Sequence, residues 1–352
     1  MSFESDNTAS VHPSILAAIV RAGEVRSASY GSDPWTRQLM PRFSELFEAE
    51  VAVHPVLTGT AANALALSEL TPSWGAVLCH SGAHVLTDEC GSAGYLGGGL
   101  TLVPLEGEHG KITATAVEKW LSTRRSGDPH QAPASTVSIS QPTERGTVYT
   151  LEEIAALGAV CNAHEILLHM DGARFANALA SVGCTPAEMT WKRGVDMLSF
   201  GATKNGAFAA EAVIDFRVIC GNDLLYRRIR AGQLLSKMRL VSAQLLAYVS
   251  EGLWLKLAAR ANEAAVQISA VLAGLPHTHI IHPVQANAVF VEMPRDTAER
   301  LYAAGFKFFH RMSPTGNLYR LVTSHDTTAQ ELGKFLRTLI RTDAGGARQQ
   351  FN

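Results

Sequence analysis

Between residues 51 and 216, seven short apolar runs (51–57, 76–79, 100–105, 136–140, 166–170, 197–200 and 212–216) alternate with longer stretches of helical period. That alternation restricts the fold more than any other feature of the chain, because it is the mark of an α/β domain with a mostly parallel sheet. Between the fourth and fifth runs, Thr150-Leu-Glu-Glu153 has the capping-box pattern ahead of an apolar-periodic stretch. A helix is therefore expected from there to about His164, making a β-α-β unit. Beyond Asp223 the character changes, and a segment rich in Ala, Leu, Lys and Arg running to about Leu272 reads as one or two helices leading out of the large domain. A smaller α/β domain follows, with strands near 288–292 and 318–323 and a helix near 297–304. Its terminal helix is opened by a second capping box, Thr328-Ala-Gln-Glu331. The chain thus divides into a large domain (1–245), a small C-terminal domain (246–342) and a polar tail (343–352) expected to be disordered.

Composition excludes several classes of function. The 352 residues are 47% hydrophobic and 18% charged, enough for a folded core. Thirty basic against thirty-two acidic side chains, 30 − 32 = −2, leave no basic field to hold nucleic acid or an anionic membrane. The first ten residues are polar and contain Glu4 and Asp6, unlike a signal peptide, and no apolar run is long enough to span a bilayer, so a cytoplasmic protein is expected. Five scattered cysteines (Cys79, Cys90, Cys161, Cys184, Cys220) suit neither a disulfide framework nor a zinc ribbon and read as ordinary buried thiols. The histidines His277, His279 and His282 alternate along one stretch without a carboxylate or thiolate nearby, so no metal site is expected.

In open α/β sheets ligands bind beyond the carboxyl ends of the strands, which makes the residues just after each run informative. After 51–57 come Thr58, Gly59 and Thr60 leading into a helical pattern. This is either a cradle for phosphate, with backbone N–H groups and a helix dipole at one point, or a tight turn capped by a threonine. It is not a Walker loop, and no GxGxxG opens a dinucleotide unit. Asp171-Gly-Ala-Arg174 follows 166–170, and Gly201-Ala-Thr-Lys204-Asn-Gly206 follows 197–200. A carboxylate and a lysine at neighbouring strand ends, beside a phosphate cradle, match what pyridoxal 5'-phosphate requires. The amine bonds the cofactor's aldehyde, and the carboxylate keeps the ring nitrogen protonated so that the ring can accept electrons.

Five stretches together resemble the low-specificity L-threonine aldolases of the β-eliminating lyase family: Tyr30-Gly-Ser-Asp33, Gly59-Thr-Ala-Ala-Asn63, Ala83-His84 with Asp88-Glu89, His169-Met-Asp-Gly-Ala-Arg174 and Ser199-Phe-Gly-Ala-Thr-Lys204. The resemblance runs from Ser5-Asp-Asn7 to Arg320. It implies a fold-type I pyridoxal-phosphate enzyme, with a seven-stranded large-domain sheet and a small C-terminal domain, assembled as a homo-oligomer that is a dimer or a dimer of dimers. Carried over position by position, it implies Lys204 as the lysine that bonds the cofactor and Asp171 as partner of the ring nitrogen. Thr58, Gly59 and Thr60 would hold the phosphate and His84 would stack on the ring. Arg174 would contact the phenolic oxygen or the substrate carboxylate, which Arg320 would bind with help from Ser5. A planar guanidinium suits that task because it meets a carboxylate through two parallel hydrogen bonds. Lys237 and Arg239 match residues that reach a neighbouring subunit's phosphate, Tyr30 lies in the segment bordering the site from the interface, and His130 falls near the substrate side chain. Thr58 and Thr203 stand where relatives often carry serine, and both keep the hydroxyl.

The implied reaction is retro-aldol cleavage of L-threonine, L-allo-threonine or related β-hydroxy-α-amino acids, phenylserine among them, to glycine and an aldehyde. The base that takes the β-hydroxyl proton is left open among His84, His130 and a water held by His84 and Glu89. Two alternatives are a β-eliminating lyase or aminotransferase on the same scaffold and a catalytically silent scaffold homologue. Retention of lysine, aspartate, phosphate loop and arginine together argues against the last.

Overall fold

The computed structural model describes residues 1–125, 127–217, 223–311 and 316–346. Seven strands, β1 (Ala52–Val56), β2 (Ala76–His80), β3 (Thr101–Leu105), β4 (Ala134–Ser140), β5 (Leu167–Gly172), β6 (Met197–Gly201) and β7 (Glu211–Asp215), form one sheet in the order β1-β7-β6-β5-β4-β2-β3. Each matches an apolar run to within two residues at either end. β7 runs antiparallel to both neighbours, whereas β6-β5-β4-β2-β3 pair in parallel. Strands β2, β6 and β7 are buried at every position, which is why their sequences show no polar alternation, the acids Glu211 and Asp215 standing only at the two ends of β7. The helix Leu151–Ala163 joins β4 to β5 as expected. Its capping box is formed, with Thr150 Oγ1 accepting from Glu153 N at 3.2 Å and Glu153 Oε2 accepting from Thr150 N at 2.7 Å.

The segment after Asp223 holds three helices, Asp223–Arg230, Arg239–Val249 and Leu253–Ala273, rather than one or two. Gly232 (φ +70°) and Gly252 (φ +68°) sit in the left-handed region at the breaks, a conformation a side chain resists and a helix cannot continue through. The helix Leu253–Ala273 is shared by two cores. Trp254 and Ala258 pack with the seven-stranded sheet, while Ala265, Ile268 and Leu272 pack with a second sheet.

That second sheet adds β8 (His279–Ile280) and β10 (Phe309–Arg311) to β9 (Ala288–Glu292) and β11 (Leu318–Val322), in the antiparallel order β10-β11-β9-β8. The N-terminus belongs with it. Phe3 is fully buried in the second core, and Val322 N donates to Phe3 O at 2.8 Å. The terminal helix runs Ala329–Gly346, so the first residues of the expected tail are helical, and residues 347–352 lie outside the described residues. Of the cysteines, Cys79 and Cys161 are buried, with thiols pushed up to about 12 chiefly by burial. Cys184 is half-buried and Cys90 is exposed, against expectation, while Cys220 lies outside the described residues.

Candidate active site

The carboxyl ends of β1, β2, β4, β5 and β6 deliver Thr58, His84, Glu144, Asp171 and Lys204 to the wall of one cavity of about 380 Å³. At its β1 end only Leu57 and Thr58 separate the strand from the helix Gly59–Leu70. Thr58 caps it, its Oγ1 accepting from Ala61 N at 3.1 Å and its carbonyl from Ala62 N at 3.0 Å. The N–H groups of the first turn have no partner within a helix. With Ala61 and Ala62 satisfied, those of Gly59 and Thr60 are left for the cavity. A side chain at Gly59 would meet nothing within 4 Å, so the space in front of these donors is open. The cap and the anion cradle, alternatives in the sequence, are the same structure.

The wall around Asp171 is carboxylate-rich and buried. Asp171 is 6% exposed, accepting from Ala173 N at 2.9 Å through Oδ1 and from Asn63 Nδ2 at 2.8 Å through Oδ2. The same Asn63 Nδ2 donates to Glu89 Oε1 at 2.8 Å, and that oxygen also bonds His84 Nδ1 at 2.8 Å. The hydrogen bond to Glu89 holds the His84 pKa above the usual histidine range against the opposing effect of burial. Behind Asp171, His169 lies between Ser138 Oγ (2.9 Å) and Ser199 Oγ (3.0 Å), and burial pushes it down to about 4. It is a neutral structural histidine at ordinary pH.

Lys204 sits in a tight turn directly after β6, where burial, and then the charge of Arg174, press its ammonium below the usual lysine range. Arg174 itself is engaged. Its Nε and Nη2 donate to Asp6 Oδ2 and Oδ1 at 2.6 and 2.8 Å, a fork-to-fork pair, and Asn287 Nδ2 adds 2.9 Å to Asp6 Oδ2. Arg320, in β11, keeps its Nε buried without a partner. Its Nη2 donates to Glu4 O at 3.0 Å, and burial, with Arg174 nearby, lowers it to about 10. Arg320 thus keeps spare donors, whereas Arg174 already holds a carboxylate; neither Arg320 nor Ser5 lines the cavity itself. Ser5 caps the short turn Asp6–Thr8 by accepting from Asn7 N, and Asn7 reaches the cavity wall.

Four expected site residues lie elsewhere in the single chain. His130 is exposed and lines a separate cavity of about 740 Å³ with Trp74 and Trp120. Arg239 is buried beneath the helix Pro13–Gly23, with Nε donating to Ala22 O at 2.8 Å, because its position at a helix start turns it inward. Tyr30 (58% exposed) and Lys237 are on the surface, and Tyr30 N donates at 3.1 Å to the carbonyl of Ser236, the residue before Lys237. Conversely, the cavity wall contains three acids for which no role was expected, Asp88, Glu144 and Glu211. Glu144 accepts from Ser140 Oγ (2.6 Å) and His84 N (2.8 Å), and burial raises its pKa. Glu211 is raised to about 7 by burial despite Lys204 nearby. Glu144 follows β4 by four residues, so the strand-end rule pointed to it, but Glu211 opens a strand and gave no such signal.

The donor set fits pyridoxal phosphate: open N–H groups at a helix start for a phosphate, a buried aspartate held by two N–H donors for a ring nitrogen, and a desolvated lysine for an aldehyde. Comparison with known proteins points the same way. A family model described as beta-eliminating lyase matches residues 2–296. A low specificity L-threonine aldolase from Pseudomonas sp. (strain NCIMB 10558) is 41% identical over 96% of this chain and 97% of that protein. One from Pseudomonas aeruginosa is 38% identical over 96% of each. The solved structure of Leishmania major threonine aldolase, 28% identical, superposes with a TM-score of 0.91 over 97% of this chain and 98% of that one. An aspartate aminotransferase from Rhodobacter sphaeroides shares the fold at 16% identity, with a TM-score of 0.70 over 97% of this chain and 93% of that one.

Proposed function

The chain belongs to the β-eliminating lyase family, and from that membership we infer that it is a pyridoxal-phosphate-dependent aldehyde-lyase cleaving L-threonine and related β-hydroxy-α-amino acids to glycine and an aldehyde. The observation that carries this reading is the convergence of Lys204, Asp171, His84 and the Gly59 helix start on one cavity. When bound, pyridoxal phosphate supplies an electron sink for the pair released as the Cα–Cβ bond breaks. The N–H groups of Gly59 and Thr60, with Thr58, would hold its phosphate. Asp171 would hold the ring nitrogen and Lys204 the aldehyde, with His84 against the ring.

Arg320 orients the substrate through its carboxylate, and Arg174, clamped by Asp6, adds positive charge beside Lys204. Of the two histidine candidates His84 lines this cavity and His130 does not, so we assign the base to His84, acting directly or through a water it holds with Glu89, and Glu89 behind Nδ1 steadies the imidazolium that forms as the β-hydroxyl proton is taken. The functional unit is a homo-oligomer, in which Tyr30 and Lys237 face a neighbour's site. Exposed Leu16, Val20, Phe208, Tyr226 and Ile229 provide apolar surface for that contact. Among the described residues no helix is long and apolar enough to cross a membrane, in keeping with a cytoplasmic enzyme.

The test is a product assay on threonine, allo-threonine and phenylserine with and without added pyridoxal phosphate. Aldehyde plus glycine, dependent on the cofactor, is expected. Pyruvate or another 2-oxo acid with ammonia would instead establish β-elimination, and 2-oxo acid with amino transfer an aminotransferase.

A further inference from the structure

The helix that starts at Gly59 contributes more to the cavity than a phosphate cradle. Asn63 lies one turn further along, on the same helix face as Gly59 and about 6 Å up the axis. It is 2% exposed, and its Nδ2 donates at 2.8 Å to both Glu89 Oε1 and Asp171 Oδ2, while its Oδ1 has no hydrogen-bond partner. Two carboxylates with oxygens within 4.8 Å of each other in a buried pocket repel when both are charged, and an amide that turns an N–H donor toward each offsets that repulsion. The opposite amide orientation would set an oxygen against two anions, so the donor arrangement is the one that satisfies the pocket. Leaving Oδ1 unbonded is the cost of meeting a demand for donors.

We propose that Asn63 is a positioning residue whose single amide holds Asp171 for the cofactor's ring nitrogen and Glu89 behind His84, tying both to the helix that binds the phosphate. The proposal rests on the function inferred above. Its physical content is that one side chain couples the ring end of the site, the base and the phosphate end. Removing the amide loosens Asp171 and frees Glu89 Oε1 to bind the His84 proton more tightly.

The test uses the full chain, stripped of cofactor for affinity and cofactor-loaded for turnover, and its Asn63→Ala, Asn63→Asp and Asn63→Ala/Glu89→Gln variants. In Asn63→Ala the Kd for pyridoxal phosphate, measured by fluorescence on the stripped protein, should rise at least threefold. Turnover should fall at least tenfold with KM within about twofold, and the acidic limb of the kcat/KM profile should move to higher pH. Asn63→Asp, which adds a third carboxyl group, should bind the cofactor more weakly still. A merely structural role would lower the yield of folded protein and leave the limb in place. If Asn63→Ala does not fold, the double variant, with one of the two like charges removed, should fold and bind cofactor within about threefold of wild type; failure to do so overturns the proposal. Wild-type protein assayed in parallel separates the two inferences. Without aldehyde release the functional reading falls, and cofactor affinity alone decides for Asn63. With aldehyde release, native affinity and an unmoved limb in Asn63→Ala overturn the role assigned to Asn63.

Discussion

Lys204 and His84 are shifted in opposite directions for different reasons, and each shift suits the work inferred for it. Burial and Arg174 lower Lys204, favouring the neutral amine that can bond an aldehyde. Borohydride reduction of the loaded protein followed by peptide mapping should label Lys204, and Lys204→Ala should lose both the label and roughly three orders of magnitude in turnover. A label on another lysine refutes the assignment. The hydrogen bond to Glu89 raises His84 above its ordinary 6.5. A base must be neutral to act, so kcat/KM should climb with pH through a limb above that value. Glu89→Gln removes the anion and should move the limb down, whereas a limb that stays put excludes His84 as the base. The same shift means that the pair stabilises the fold fully below the unfolded histidine pKa and loses that contribution as pH rises through the folded one. Asp171→Asn keeps the shape and loses the charge. Turnover should fall about a hundredfold or more with the cofactor still bound, measured as aldehyde release against bound-cofactor absorbance.

At the scale of elements, the N-terminal segment is a structural part of the site. Phe3 anchors it in the second core, and Asp6, 2% exposed, clamps Arg174 at the mouth of β5. Burial alone would raise the Asp6 carboxyl, but the charge and hydrogen bond of Arg174 outweigh it and hold the carboxyl below its ordinary 3.8. Its contribution is therefore present above the unfolded carboxylate pKa and lost as pH falls through the lower, folded one. Asp6→Ala leaves a largely buried guanidinium unpaired and should destabilise by about 3 kcal/mol at pH 7, read from urea unfolding midpoints. That loss should shrink toward acid pH. At the end of β6, a Cβ on Gly201 would come within 2.5 Å of Ala173 O and 2.7 Å of Ala173 Cα, backbone atoms that cannot step aside. Gly201→Ala should thus lower both stability and activity by pushing apart the two strand ends that carry Asp171 and Lys204. A variant with native Tm and native turnover would show that the contact relaxes freely.

The whole molecule is where the single chain leaves residues unassigned. Arg239 is spent on the carbonyl of Ala22, so Lys237, exposed beside Tyr30, is the better candidate to complete a neighbour's site. Symmetric dimers place such a residue reciprocally. Lys237→Ala should be folded but impaired. Mixing it with inactive Lys204→Ala chains should restore activity, because some mixed dimers contain one site with both lysines intact. No gain after verified subunit exchange would mean that each site is built from one chain.

Sequence by itself determined the seven strands of the large sheet, both capping boxes and the strand-end motifs. Each depends on neighbours within a few residues: apolar runs too short for helices, a hydroxyl three residues before a carboxylate, polar groups at the point where a strand stops. It placed Lys204, Asp171, His84 and the Gly59 turn at strand ends, and the sheet topology then brought those ends to one cavity, with β2, β5 and β6 parallel and β1 pointing the same way across the antiparallel β7. Tertiary structure alone decided which charges meet. Arg174 is engaged by Asp6 from 168 residues away, Asn63 is shared by Glu89 and Asp171, and Arg239 is turned inward, while His130 borders a different cavity. Such pairings depend on side-chain direction and on desolvation after the layers have packed, and local sequence encodes neither.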